Sequence, residues 1–302
     1  MTDYDSISPS RLATYATCPR QYEHDYIKSV STPDETKFYL YQGRAYHETI
    51  ATVCDQTSPE DNPDEIFDRA VETFETKWAE HIDPEEYASK AHQEHQRREN
   101  RKAIESFFDP VDGIGIEHAH KSVATEKRVE CEYDGISLHG YTDNVLREGE
   151  TLHLVDYKRN VRGVLGAWSG DKLVEHLEEE AHEAGRVKNA FQTAAYIEGI
   201  KQSDLFEEGM SVRFSFYGLL HSTDRTGTPN GYEVSVSGKQ RETTAAYEEY
   251  HETIWKLIEA AYTGIANEAY EPEPFDLLRE EACPDCSFKE MCPDYLAAEV
   301  SE

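Results

Sequence analysis

Residues 123–159 read VATEKRVECEYDGISLHGYTDNVLREGETLHLVDYKR, and this stretch decides the fold. It opens at period two through Val123, Thr125, Lys127 and Val129, the repeat of a strand. Asp134-Gly135 and Glu148-Gly149 are turn pairs of the kind that close tight hairpins. Three successive strands are therefore predicted, roughly Val123 to Tyr133, Ile136 to Arg147 and Thr151 to Arg159. The third carries Asp156-Tyr157-Lys158, and strand alternation sets Asp156 and Lys158 on one face. A turn centred between Glu148 and Gly149 predicts residue 154 opposite Asp143, so that Asp143 lies diagonally beside Asp156 on that face. Two adjacent carboxylates repel unless a cation sits between them, and hard oxygen donors suit Mg²⁺ or Mn²⁺. Lys158 would orient a water or meet charge developing on an attacked phosphate. A bare Asp/Glu-x-Lys match is weak in so acidic a chain, since Glu35-Thr36-Lys37 and Glu75-Thr76-Lys77 repeat it in helical surroundings.

Outward from this stretch, Ser8-Pro9-Ser10 leads into helices over Arg11 to Lys28 with a break at Cys18-Pro19. Thr36 to Val53 reads as another helix. Ser58 to Phe108 is polar with apolar residues at helical spacing (Ile66, Phe67, Phe74, Trp78), so residues 55–112 are expected to be a helical insertion. Beyond a polar stretch from Asn160 to Gly185, a helix is expected over Arg186 to Gln202. Strands are expected over Ser211 to Leu220 and Tyr232 to Ser237, then a long helix over Gln240 to Glu268. The fold class is α/β: a central mixed sheet holding the Asp143 and Asp156 strands, with helices on both sides.

The chain has 302 residues, with 61 Asp plus Glu against 30 Lys plus Arg and a formal net charge of −31. With 38% hydrophobic and 11% aromatic residues the composition is globular, and one domain over residues 1–302 is expected. A small disulfide knot and a basic nucleic-acid arm are excluded. No run approaches the roughly 18 apolar residues of a membrane span, and Met1-Thr2-Asp3-Tyr4 opens no signal peptide. A cytoplasmic protein with no membrane partner is expected. No GxxxxGK[ST] loop occurs, so the chain itself is not expected to bind ATP. Acid excess spread along the whole chain, with only 14 Lys, points to a salt-rich cytoplasm, where a Debye length of about 3 Å at 1 M hides like-charge repulsion. Net charge then does not veto a nucleic-acid substrate.

Six cysteines occur, and Cys283, Cys286 and Cys292 form a C-x₂-C-x₅-C cluster. Three thiols so close in an intracellular chain call for a soft metal and a fourth ligand, and by chemistry alone zinc is open. Cys54 and Cys131 read as small buried hydrophobes.

Gly43-Arg44-Ala45-Tyr46-His47-Glu48, Gly140-Tyr141-Thr142-Asp143, Val155-Asp156-Tyr157-Lys158 and Gln192-Thr193-Ala194-Ala195-Tyr196 resemble, in this order, the RecB-like branch of the PD-(D/E)XK nuclease superfamily. The resemblance runs from Cys18 to Cys292 and implies a restriction-endonuclease-like sheet. It makes His47, Asp143 and Asp156 metal ligands and Lys158 the group that assists the attacking water. Gln192 and Tyr196 complete the catalytic set or contact DNA, and positions four apart do share a helical face. The cysteine layout is similar to that of branch members with a [4Fe-4S] cluster, the AddB-type subunits and CRISPR-associated exonucleases. Cys18, in Tyr15-Ala16-Thr17-Cys18-Pro19-Arg20, matches their first ligand. The implied cofactors are thus Mg²⁺ or Mn²⁺ and a [4Fe-4S] cluster in residues 270–302, completed by Cys18 and joining the two terminal regions. The implied activity is metal-dependent cleavage of DNA, by an exonuclease of single strands in repair or recombination that stands alone or works with a separate helicase. Arg159, Arg162, Arg186 and Lys188 flank the motifs and would line the strand's path. Alternatives are a CRISPR-associated nuclease that processes DNA for spacer acquisition and a non-catalytic iron-sulfur DNA-binding scaffold.

The −31 charge carries its own prediction: self-repulsion destabilises the fold when unscreened, so the melting temperature rises from low to molar KCl. Thermal melts across a KCl series check this, and a flat or falling curve counts against the salt-rich reading.

Overall fold

The structure, a computed structural model, describes residues 6–31, 38–166, 169–228 and 231–301. Met1 to Tyr4, Glu35-Thr36-Lys37 and the predicted helix start at Thr36 lie outside these residues. Ser8 caps α1 (Pro9–Thr17) by accepting from the Arg11 amide, and Pro9 fits the first helical turn because its missing N–H is not needed there. Cys18 is extended (φ −164°) and separates α1 from α2 (Pro19–Tyr22), the break expected at Cys18-Pro19. Then come α3 (Phe38–Gln56), α4 (Pro63–His81), α5 (Lys90–Phe107) and α6 (Gly115–Lys121).

The strands are β1 (Ser122–Tyr133), β2 (Ile136–Glu148), β3 (Thr151–Lys158), β4 (Ser211–Thr228) and β5 (Gly231–Glu242). They form one sheet in the order β1-β2-β3-β4-β5, parallel between β3 and β4 and antiparallel elsewhere. A parallel pair needs a long crossover, and α7 (Gly170–Leu177) with α8 (Ala184–Lys201) supplies it. The chain ends with α9 (Thr244–Glu249), α10 (His251–Ala266), α11 (Phe275–Glu281) and α12 (Pro293–Ser301).

Three expectations are corrected. The β2–β3 turn is Gly149-Glu150, because Glu148 pairs with Thr151 and Gly149 takes the φ of +66° that a two-residue hairpin needs at its first central position. Asn144 therefore pairs with Val155, and one further step sets Asp143 directly opposite Asp156 rather than diagonal to it. The helix expected from Gln240 starts later: Gln240, Arg241 and Glu242 pair with Tyr217, Phe216 and Ser215, and Tyr250 separates α9 from α10. The β4–β5 hairpin is also longer than its apolar pattern suggested. Its outer part leans on α5, where Arg225 pairs with Glu99 and the Tyr232 hydroxyl lies 2.5 Å from His95 Nδ1.

Alternation along β3 splits the core in two. Leu152 and Leu154 join Val145, Phe214 and Phe216 under α1, α8 and α10, whereas Val155 and Tyr157 join Leu146 and Leu219 under α3 to α6. Asp156 and Lys158 thus belong to the α8 face. Among the described residues no helix is long and apolar enough to cross a membrane.

The second layer holds a buried polar chain. The Tyr157 hydroxyl lies 2.8 Å from His118 Nδ1 and 3.2 Å from Asn144 Nδ2, which also reaches Cys54 Sγ at 3.3 Å. Burial pushes the His118 pKa down to about 3. Because the unfolded ring takes up a proton below about 6.5 and the folded ring does not until about 3, His118 favours folding at neutral pH. That contribution drains as pH falls from 6.5, by about 1.4 kcal/mol per pH unit. The loss of melting temperature from pH 7 to pH 5 should therefore be smaller in His118→Asn than in the parent, as paired calorimetric scans would show.

Candidate active site

The β2–β3 hairpin sets Asp143 and Asp156 side by side, and each finds a cation. Asp143 Oδ2 lies 3.1 Å from His47 Nδ1 on α3 and accepts the Tyr157 backbone N–H at 2.6 Å. Asp156 Oδ2 is buried with Lys158 Nζ at 2.7 Å, while its Oδ1 accepts from the Gln192 amide. Gln192 in turn accepts from Lys158 Nζ at 3.1 Å and donates to the Tyr196 hydroxyl at 3.2 Å. His47, Asp143, Asp156, Lys158, Gln192 and Tyr196, from four elements, thus form one connected group. Gly140 is part of its construction: a Cβ there would stand 2.5 Å from the Tyr196 ring, so a bare backbone lets α8 seat against β2.

Burial raises both aspartates, but for Asp143 the His47 and Lys158 charges outweigh it and hold the carboxyl low. Asp156 stays raised by burial, with Asp143 adding to it. Burial also opposes charge on His47, yet Asp143 and Asp156 overcome this and lift its pKa to about 9. For Lys158 the same carboxylates outweigh burial and keep it an ammonium. Arg162 and Arg186 share a groove with Gln21, Asn189 and Cys286, where Arg186 Nε holds Glu183 at 2.9 Å. Arg159 donates to Gln42 at 3.3 Å, and burial with repulsion from Lys158 lowers the Lys188 pKa.

Sequence reasoning missed Glu126. The β1–β2 register pairs Thr125 with Asn144 and Lys127 with Thr142, which puts Glu126 across from Asp143. Its φ is +46°, a left-handed value that interrupts strand alternation and that nothing in a glutamate announces. Its carboxylate, a His47 ring nitrogen and an Asp143 oxygen all lie within 4.8 Å of one another. Among the described residues one other such trio occurs, Glu48, Glu80 and His81, and Lys77 Nζ already stands 3.3 and 2.8 Å from its two glutamates. Burial and the Asp143 charge raise the Glu126 pKa. Three carboxylates at the site stand with His47, Lys158 and, beside Lys158, Lys188. A divalent ion would find hard oxygen donors here.

The chain belongs to the PD-(D/E)XK nuclease superfamily, whose sequence profile matches residues 6–293. It is accordingly a phosphodiester hydrolase, and nucleases of this superfamily use divalent metal ions. No curated protein matches the chain. Among solved structures it is similar to a candidate exonuclease from Eubacterium rectale, at 15% identity and a TM-score of 0.45, over 91% of this chain and 88% of that one.

Glu126→Gln keeps the shape and removes one charge facing the ion, so Mn²⁺ affinity by calorimetry should fall about 10-fold or more. Glu80→Gln, in the trio that Lys77 already neutralises, should leave that affinity unchanged.

Proposed function

We propose that the protein is a divalent-metal-dependent deoxyribonuclease of the RecB-like branch that degrades single-stranded DNA from an end, in repair or recombination and beside a separate helicase. The observation that carries this reading is the convergence of Asp143, Asp156, Glu126 and His47 next to a lysine fixed by Gln192. His47, Asp143 and Asp156 would hold Mg²⁺ or Mn²⁺, with Glu126 adding charge. Such an ion polarises the scissile phosphate and eases deprotonation of the attacking water.

The chain's own groups do the rest. Lys158 is an ammonium, so it donates rather than removes a proton. It orients the water or meets negative charge on the phosphate. Asp156 and Gln192 fix its position, and Tyr196 steadies Gln192 from below. The groove of Arg162, Arg186, Gln21 and Asn189, which Glu183, Glu281 and Asp285 also line, offers a path for one strand with the two arginines toward its backbone phosphates.

The four cysteines support the iron-sulfur reading. Cys18, Cys283, Cys286 and Cys292 are free and line one cavity, with Arg20, His24, Phe288 and Tyr295. Their layout, one cysteine at the start of α2 and three as C-x₂-C-x₅-C, is the one the RecB-like resemblance reads as [4Fe-4S] ligands. When bound, the cluster would tie the start of α2 to the turns before α12 as a structural staple.

The test is digestion of end-labelled single- and double-stranded DNA in Mg²⁺ or Mn²⁺. Asp156→Ala should abolish cleavage, and Lys158→Ala should lower turnover roughly 10² to 10³-fold while DNA binding in Ca²⁺ persists. A Lys158→Ala protein that digests at the parent rate would overturn the site assignment and favour a DNA-binding scaffold.

A further inference from the structure

His24 lies in a single π-helical turn, Glu23–Ile27, that continues α2 beyond Cys18. Such turns add one residue to a helix and re-aim a side chain, and they recur at functional sites. Here the side chain is aimed inward: His24 is 6% exposed and lines the cavity shared by Cys18, Cys283, Cys286 and Cys292. Its ring packs 5.1 Å from that of Phe288, which sits between the second and third cysteines of the triplet. Neither Nδ1 nor Nε2 has a hydrogen-bond partner. An imidazole in either tautomer carries one N–H, and a buried donor without an acceptor is costly, so such groups in native proteins nearly always have a use.

The neighbours do not supply that acceptor. Glu23 and Asp294, the nearby carboxylates, are both engaged by Arg20, at 2.6 and 2.7 Å. Phe288 offers only an aromatic ring. The cavity also holds the Gln21 amide and the Tyr295 hydroxyl, neither of which bonds the ring, and the sulfurs of the four cysteines. We propose that His24 donates its ring N–H to a sulfur of the cluster held by the four cysteines, either a thiolate or a bridging sulfide. This rests on the reading of those cysteines as [4Fe-4S] ligands. The four cysteines complete the cluster's ligand set, so His24 acts through hydrogen bonding as a positioning residue. A donor to cluster sulfur stabilises the more negative, reduced form over the oxidised one and raises the midpoint potential. It also holds the cysteine loops against the cluster and slows iron loss.

The experiment compares anaerobically purified parent, Cys286→Ser, His24→Gln and His24→Leu for iron and sulfide content, iron release to a chelator, and midpoint potential. The parent should hold about four irons, and Cys286→Ser should lose them. His24→Leu should load iron yet release it several-fold faster and show a more negative potential. His24→Gln, which keeps an N–H donor, should fall between the two. Zinc without iron in the parent would overturn the cluster reading and this proposal with it, leaving the nuclease reading intact. An iron-loaded parent with His24→Leu identical in release and potential would overturn the role of His24 alone. Should His24→Leu fail to fold by circular dichroism, pulsed EPR of the reduced, ¹⁵N-histidine-labelled parent decides: a ¹⁵N coupling supports the proposal and its absence overturns it.

Discussion

The structure turns on two carboxylates, Asp143 and Asp156, that the β2–β3 register places across from one another. Directly opposed residues stand about 5 Å apart, where two unit charges at an effective dielectric of about 20 repel by about 3 kcal/mol. Burial makes each charge costlier still. The chain answers with His47 at 3.1 Å from Asp143 and Lys158 at 2.7 Å from Asp156, and each attraction is about 5 to 6 kcal/mol on the same scale. Attraction exceeds repulsion, so the hairpin can carry both acids. It carries them unequally: Asp143 is held low and Asp156 high. Nearby Glu126 adds a third carboxyl, its own pKa raised by burial and the Asp143 charge. Glu126, Asp143 and His47, gathered this closely, would suit a divalent cation.

How far this could be read in advance depended on how local each signal was. The β1 to β3 boundaries followed from alternation and two glycine turns, and Asp143, Asp156 and Lys158 came to one face as alternation required. The register was two pairs off because it hangs on which residue of Glu148-Gly149-Glu150 takes positive φ, and glycine belongs at the first central position. Gln192, Tyr196 and His47 were readable through their family motifs, and the four-residue spacing of the first two agrees with a shared helix face. Glu126 and His24 were not. Each owes its position to a backbone irregularity, a left-handed residue within a strand and a π-helical turn, that no side-chain pattern encodes. Gln240 to Glu242 were misread as helical because strand pairing with Ser215 to Tyr217 overrode a local periodicity.

The middle residue of Asp156-Tyr157-Lys158 shows why the arrangement resists slippage. Its side chain points away from the acids into the second core layer, where His118 and Asn144 hold the phenol at 2.8 and 3.2 Å. Its backbone N–H points back and holds Asp143 at 2.6 Å. One residue therefore ties the polar chain beneath α6 to the carboxylate on the opposite face. A slip of β3 by one position would bury Asp156 and Lys158 among Phe74, Ile104 and Phe107 and turn Tyr157 toward α8. The register that concentrates negative charge is thus held by a contact in each core layer, and the strain of like charges cannot relax by sliding. His47 and Lys158 offset it from within, and a bound divalent cation would offset it further from outside.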